Sequence, residues 1–294
     1  MLNLTKIAVD AMGGDGSPKK IIDGIIHNHK SNTQNFFIIF GNKNEIEPYI
    51  TDKIAKEFYK IIHTENMVKS TDSPLEAAKR GKDTSMWLAI NSVKNKEADI
   101  VISAGNTGAL LVISKLNLKM IENIDKPALS ALWPNKKGMS VVLDLGANIE
   151  CNSKNLVDFS IMGASLYKSL YPNNTPKIAL LNIGSEELKG NEIIKETFQI
   201  LNEKKFKNFD FSGYIEGNQL MDGNVNVIIS DGFTGNVALK TAEGTANFIT
   251  DELKMIFKGS ILGKISAILN YSNLNKFRKR LDPRLYNLSL IHIW

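Results

Sequence analysis

Five times along the chain, a short run of apolar, largely β-branched residues gives way to a glycine- or asparagine-rich loop, and an amphipathic stretch follows. The runs are TKIAVD (5–10), ADIVIS (98–103), MSVVLDL (139–145), PKIALLNI (176–183) and VNVIIS (225–230). The loops after them are AMGGDGSP, AGNTGA, GANIECNS, GSEELKGN and DGFTGN, and helical patterns begin at 19, 110, 156, 192 and 237. Unbroken apolar runs of this length are the pattern of parallel strands buried on both faces. Strands alternating with helices require crossovers that lay helices on both sides of a sheet. NFFIIFG (35–41) and YKIIHT (59–64) read as two more strands in the first third. The pattern therefore predicts an α/β fold, a three-layer α/β/α sandwich on a mostly parallel sheet. No linker divides it, apart from a soft subdivision near PALSALWPN.

The 294 residues are 43% hydrophobic and 23% charged, a composition that excludes wholesale disorder. A single cysteine, Cys151, excludes a disulfide framework and a cysteine-rich zinc site. The N-terminus has no secretory pattern and no apolar run approaches ~18 residues, so the expected compartment is the cytoplasm. A net charge of +5 suits a solvated lysine surface or attraction to acidic partners. Nucleic acid is not expected as a partner, since no recognition motif for it is present.

In open α/β sheets, ligands bind beyond the carboxyl ends of the strands, where all five loops fall. Their small residues let backbone N–H groups approach an anion, and the helix starts that follow add positive potential. The loops contain no dinucleotide fingerprint, P-loop, nucleophile elbow or zinc-protease motif. The histidines, His27, His29, His63 and His292, lie outside them. Cys151 has no activating partner in local sequence and reads as a packing residue. Asp10, Asp15, Asp144 and Asp231 stand at strand ends, either as acid–base groups or as acceptors that shape their loops. Lys189 lies in a Gly-Asn loop, where a cation can meet a phosphate or a developing oxyanion, or simply face solvent. Asn236 follows Gly235 and is either a helix cap or an amide that orients a reacting oxygen. The residues alone describe an enzyme that binds a phosphate-like anion and works by positioning and electrostatics.

DAMGGDGSP, ISAGNTGALL, KPALSALWP, VVLDLGAN, LLNIGSEELKGN, SDGFTGNVALKTAEG and LDPRLYN, in this order over about residues 5 to 287, closely resemble the phosphate acyltransferase PlsX family. The resemblance implies a fold similar to phosphotransacetylases and isocitrate/isopropylmalate dehydrogenases. It implies transfer of a long acyl chain from acyl carrier protein to inorganic phosphate, with no cofactor and no metal. The acyl phosphate would pass to a membrane glycerol-3-phosphate acyltransferase in phospholipid synthesis. A homodimer and peripheral association with the membrane are implied as well. Lys189 and Asn236 match the catalytic positions of the family's KGN and DGFTGN segments. Asp10, Gly13, Gly14, Asp15, Gly105, Asn106, Thr107, Asp144, Gly146, Ala147, Asn148, Asp231, Phe233, Thr234 and Gly235 are expected to line the substrate pocket.

Two features depart from the family pattern. Glu150 stands where an Asp is common, and the chain ends LSLIHIW in place of a Gly-rich apolar continuation. Residues 1–287 are therefore expected to form the acyltransferase domain, cut short at its end, with 288–294 a tail outside the pattern. The alternatives are a phosphotransacetylase-like enzyme using coenzyme A thioesters and a non-catalytic, membrane-associated scaffold for acyl carrier protein. The segment FKGSILGKISAILNY places Ile261, Ile265, Ile268 and Leu269 on one helical face, with Lys254, Lys258 and Lys264 nearby. That face is expected to meet either a membrane or a packing partner.

Overall fold

The computed structural model describes residues 4–281 and 288–291. Residues 282–287 of the LDPRLYN motif, and His292, lie outside the described residues. The chain divides into two compact units, Met1–Lys119 and Met120–Trp294.

In the first unit the order is β1 (Thr5–Asp10), α1 (Lys19–Ser31), β2 (Asn35–Gly41), α2 (Lys43–Ile50), β3 (Tyr59–His63), α3 (Pro74–Arg80), α4 (Ser85–Lys94), β4 (Ile100–Ser103) and α5 (Thr107–Asn117). The strands form one parallel sheet in the order β3-β2-β1-β4. Alternate residues explain why the strands are apolar throughout. Ile7, Val9, Phe37 and Ile39 pack with Ile22, Ile25 and Ile26 of α1 and with Ile46 and Ile50 of α2. Ala8, Ile38 and Phe40 pack on the other face with Met86, Ala89, Ile90 and Val93 of α4 and with Ala109 and Ile113 of α5. Each fully buried Ile or Phe contributes roughly 1.5–3 kcal/mol, so both faces hold the sheet.

The second unit contains β5 (Ala128–Asn135), β6 (Gly138–Leu143), α6 (Ser153–Leu170), β7 (Lys177–Asn182), α7 (Glu192–Glu203), β8 (Asp210–Glu216) and β9 (Val227–Ile229). It continues with α8 (Gly232–Lys258), α9 (Ile261–Leu269), α10 (Tyr271–Leu281) and β10 (Leu288–Ile291). The sheet order is β10-β5-β6-β9-β7-β8, antiparallel at β10–β5 and β5–β6 and parallel elsewhere. One face carries Val141, Leu143, Ile178, Leu180, Val227 and Ile229 against α6 and α7. The other carries Val142, Ala179, Leu181 and Ile228, with Ala238, Leu239 and Ala242 of α8 packed against them.

The α/β class and the helix–sheet–helix layering expected from the pattern are present. The strands, however, are shared between two sheets, one in each unit. The segment marked as a soft subdivision is itself a strand, β5, which turns at Lys136 and Lys137 into its antiparallel neighbour β6.

Candidate active site

In the first unit, the β1 and β4 loops leave adjacent strands and touch. Asp10 and Ser103 are register partners at the ends of those strands. Asp10 is buried, with 1% of its surface exposed. Its Oδ1 accepts the Met12 N–H at 3.2 Å and its Oδ2 accepts the Ser103 hydroxyl at 2.7 Å. A side chain at Gly13 would place its Cβ 2.6 Å from Asp10 Oδ2 and 2.8 Å from the Gly105 nitrogen. Glycine is required there because two backbones occupy the space of a side chain. Gly14 is at φ +91°, which glycine alone adopts readily. Asp15 and Thr107 are exposed on the same loops.

Asn106 is committed to structure. Its Oδ1 caps α5 by accepting the Ala109 N–H at 3.0 Å. Its Nδ2 donates to the carbonyls of Ser70 at 3.2 Å and Asp72 at 3.0 Å. This draws the 69–73 loop to the start of α5, where Pro74 also lies against Gly108. Sequence reasoning passed over that loop. Its signal was the run STDSP, a helix start of capping residue followed by proline.

In the second unit, Asp144 is fully buried. Its Oδ1 accepts the N–H groups of Leu129 at 2.9 Å, Gly146 at 3.3 Å and Ala147 at 3.0 Å. Its Oδ2 accepts the Asn148 N–H and the Asn148 side-chain amide, both at 2.8 Å. The carboxylate thus winds the GANIE loop around itself. The start of α8 packs into this loop, since a Cβ on Gly235 would overlap the Asp144 carbonyl oxygen. Asn236 then lies beside Gly146, whose φ is +131°.

Asp231 is the α8 cap. It accepts the Thr234 N–H at 2.8 Å and the Thr234 hydroxyl at 2.7 Å. Asn236 is therefore not the cap: it lies one turn inside the helix, is exposed, and its side-chain amide bonds to none of the described residues. Phe233 is exposed next to it.

Lys189 is exposed in the loop between β7 and α7. Its N–H donates to the Glu186 carbonyl at 3.0 Å, and its carbonyl accepts the Asn182 side-chain amide at 3.1 Å. Among the described residues its ammonium has no ion-pair partner, so the loop's shape does not depend on the charge. Gly190, at φ +94°, closes the turn against Asn182. Cys151 is buried, and its thiol donates to the Asn148 carbonyl at 3.6 Å. Burial first, and the nearby Asp144 carboxylate second, push the thiol up to about 11. It is protonated at neutral pH and is a poor nucleophile there. Among the described residues no cluster of three His, Cys, Asp or Glu side chains is arranged to hold a metal ion.

Each unit thus presents glycine-lined strand-end loops, and the second presents in addition the exposed Lys189 side chain and the exposed Asn236 amide one turn into α8. The fold is shared with EutD phosphotransacetylase from Staphylococcus aureus, with TM-score 0.61, 13% identity and coverage of 84% of this chain and 83% of that one. A phosphotransacetylase from Streptococcus pyogenes matches with TM-score 0.60 at 16% identity, covering 82% of each chain.

The family model described as fatty acid synthesis protein matches residues 5–292. The phosphate acyltransferase of Pelagibacter ubique (strain HTCC1062) is 73% identical over 98% of this chain and 86% of its own length. That of Maricaulis maris (strain MCS10) is 41% identical over 98% of this chain and 83% of its own. The chain belongs to the phosphate acyltransferase family and is an acyltransferase enzyme.

Proposed function

We propose that the enzyme transfers a long-chain acyl group from acyl carrier protein to inorganic phosphate, releasing acyl phosphate for phospholipid synthesis. The 73% identity to a phosphate acyltransferase over nearly the whole chain is the observation that carries this reading. A phosphate oxygen attacks the thioester carbonyl, a C–O bond forms, the C–S bond breaks, and the carrier thiolate leaves and takes up a proton. The protein supplies no covalent nucleophile, which agrees with the protonated, buried thiol of Cys151.

Lys189 holds phosphate or the developing oxyanion, and the Asn236 amide orients one of them. A preorganised donor of this kind is worth ~10²–10³ in rate. Holding phosphate against the thioester offsets ~7–11 kcal/mol of barrier by proximity. The glycine loops of the first unit, at Gly13, Gly14 and Gly105, line the substrate pocket, where the absence of side chains lets backbone approach an anion.

The test is mass spectrometry of acyl phosphate formed from acyl carrier protein thioester and phosphate, with acyl-coenzyme A as the parallel donor. Product from the carrier thioester supports the reading. Product from coenzyme A alone would make this a phosphotransacetylase-like enzyme, and no product from either would leave the scaffold reading.

The same reading places the enzyme in the cytoplasm as a homodimer that associates peripherally with the membrane. None of the helices among the described residues is long and apolar enough to cross a bilayer. Ile261, Leu262, Ile268 and Leu269 of α9 are each at least 75% exposed, and Ile265 is 50% exposed. One such face gives a marginal anchor to anionic lipid. Equal co-sedimentation with anionic vesicles of wild type and an Ile261→Glu, Ile265→Glu variant would assign the face to packing instead.

A further inference from the structure

We propose that Ser103 is a positioning residue for acyl transfer, whose hydroxyl fixes the β4 loop against the β1 loop; this rests on the reading that these loops bind substrate. Parallel register sets Asp10 and Ser103 side by side at the carboxyl ends of β1 and β4. The Ser103 hydroxyl donates to Asp10 Oδ2 at 2.7 Å. The Ser103 Oγ in turn accepts the Gly105 N–H at 3.1 Å. One hydroxyl therefore joins the carboxylate that shapes the first loop to the backbone of the second.

The remaining contact between the loops is steric and has no direction. Gly13 and Gly105 meet without side chains, and Gly14 lies against the Ala104 carbonyl. Such surfaces can slide, whereas a hydrogen bond that is both donated and accepted at one oxygen fixes distance and angle together. A Cβ on Gly105 would also meet the Met86 methyl, so the loop has a packing floor, and among the described residues it has no other side-chain tether to Asp10. The described donors to the Asp10 carboxylate are the Met12 N–H and the Ser103 hydroxyl. Removal of the hydroxyl leaves one donor on a buried carboxylate, and the loop shifts or admits water to restore the second.

A misplacement of about 1 Å in a substrate-positioning loop can cost ~10²-fold in rate. The experiment compares kcat/KM for phosphate in wild type, Ser103→Ala, Ser103→Thr, Asp10→Ala and the Ser103→Ala, Asp10→Ala double variant, with fold checked by circular dichroism and melting. Both acyl carrier protein and coenzyme A thioesters are offered as donors. Turnover of wild type judges the proposed reaction, and the ratio of variant to wild type with whichever donor works judges Ser103.

Ser103→Ala is expected to lose about 10²-fold. Ser103→Thr, which keeps the hydroxyl, is expected to recover to within about threefold of wild type. The double variant is expected to lose no more than the worse single one, because the two residues act as a unit. Unchanged kcat/KM in Ser103→Ala, a threonine variant as impaired as alanine, or additive losses in the double variant would each overturn the proposal. If Ser103→Ala fails to fold, Ser103→Cys, similar in shape but a weak donor, is read in its place, with the same loss expected and an unchanged kcat/KM overturning the proposal.

Discussion

Asp10 and Asp144 stand at the ends of apolar strands in the two units, both essentially without solvent exposure. Their surroundings differ. Asp144 gathers five N–H donors from its own loop and from the start of β5. Asp10 has a backbone N–H of its own loop and a hydroxyl from the neighbouring strand. A carboxylate with many donors from its own loop makes that loop self-supporting. One with two donors depends on a neighbour and holds two loops in relation to each other. A strand-end aspartate next to a glycine-rich loop can thus be a scaffold of either kind, and only its donors tell which.

The comparison is broken most severely at Asp144. Alanine there strands the buried Leu129 N–H and the part-buried donors of Gly146, Ala147 and Asn148 at once, an unmade bond of this kind costing up to ~1–3 kcal/mol. Asp144→Ala should lower stability by on the order of 4 kcal/mol or more and abolish activity; urea denaturation measures the first. Asp10→Ala should cost about 1–3 kcal/mol, because fewer partners are orphaned. Equal losses in the two variants would show that the donor count does not govern the role.

Lys189→Ala separates chemistry from scaffolding. The loop's hydrogen bonds are made by backbone atoms and Asn182, so melting should not change. Turnover should fall by ~10²–10³. A variant with near-normal turnover would remove Lys189 from the chemical step. Gly13→Ala tests the first unit's loop contact by filling it. The new methyl group meets Asp10 Oδ2 and the Gly105 backbone, so a loss of about 1–3 kcal/mol is expected, with lower kcat/KM.

The strand-end loops were legible because apolar runs buried on both faces leave a clear pattern; α1 and α7 begin where the spacing puts them, at 19 and 192, whereas α5, α6 and α8 begin three to five residues earlier, at Thr107, Ser153 and Gly232, inside the segments read as loop. Helix α4 was also legible in principle, with Met86, Ala89, Ile90 and Val93 at i, i+3, i+4 and i+7, but no glycine loop introduces it. PALSALWPN reads in sequence as a soft subdivision, whereas it is the strand β5, paired antiparallel with β6 and with β10, and Pro134 lies past the residues that pair with β10. Two sheets cannot be told from one by strand periodicity, since each strand sees only its neighbours. At the site, residue types named Asp144 and Asn106 as candidates, and the Gly146, Ala147 and Asn148 donors to Asp144 lie within four residues of it, but its Leu129 donor is 15 residues away and the carbonyls that take the Asn106 amide are up to 37 away, which no local spacing encodes. Ser103 escaped for the same reason: its partner lies 93 residues away.

Cys151 gives the smallest expected effect and tests the comparison from the opposite side, since it is buried against the self-supporting Asp144 loop without serving it. Its thiol donates a long hydrogen bond to the Asn148 carbonyl and its sulfur accepts from the Gly232 backbone, and a serine hydroxyl can replace both. Cys151→Ser should therefore keep most activity and cost at most about 1 kcal/mol. The folded thiol titrates near 11 against an ordinary value of 9.0, because burial and the Asp144 charge disfavour the thiolate. The folded state thus holds its proton where the unfolded state has lost it. The stability contributed by the group is complete below pH 9 and is lost as pH rises toward about 11. Alkylation by iodoacetamide in native protein should be slow at neutral pH and rise about tenfold per pH unit up to that value. An acyl group found on Cys151 during turnover, or fast alkylation at pH 7, would show that a loop wound around a buried carboxylate can still present a reactive thiolate.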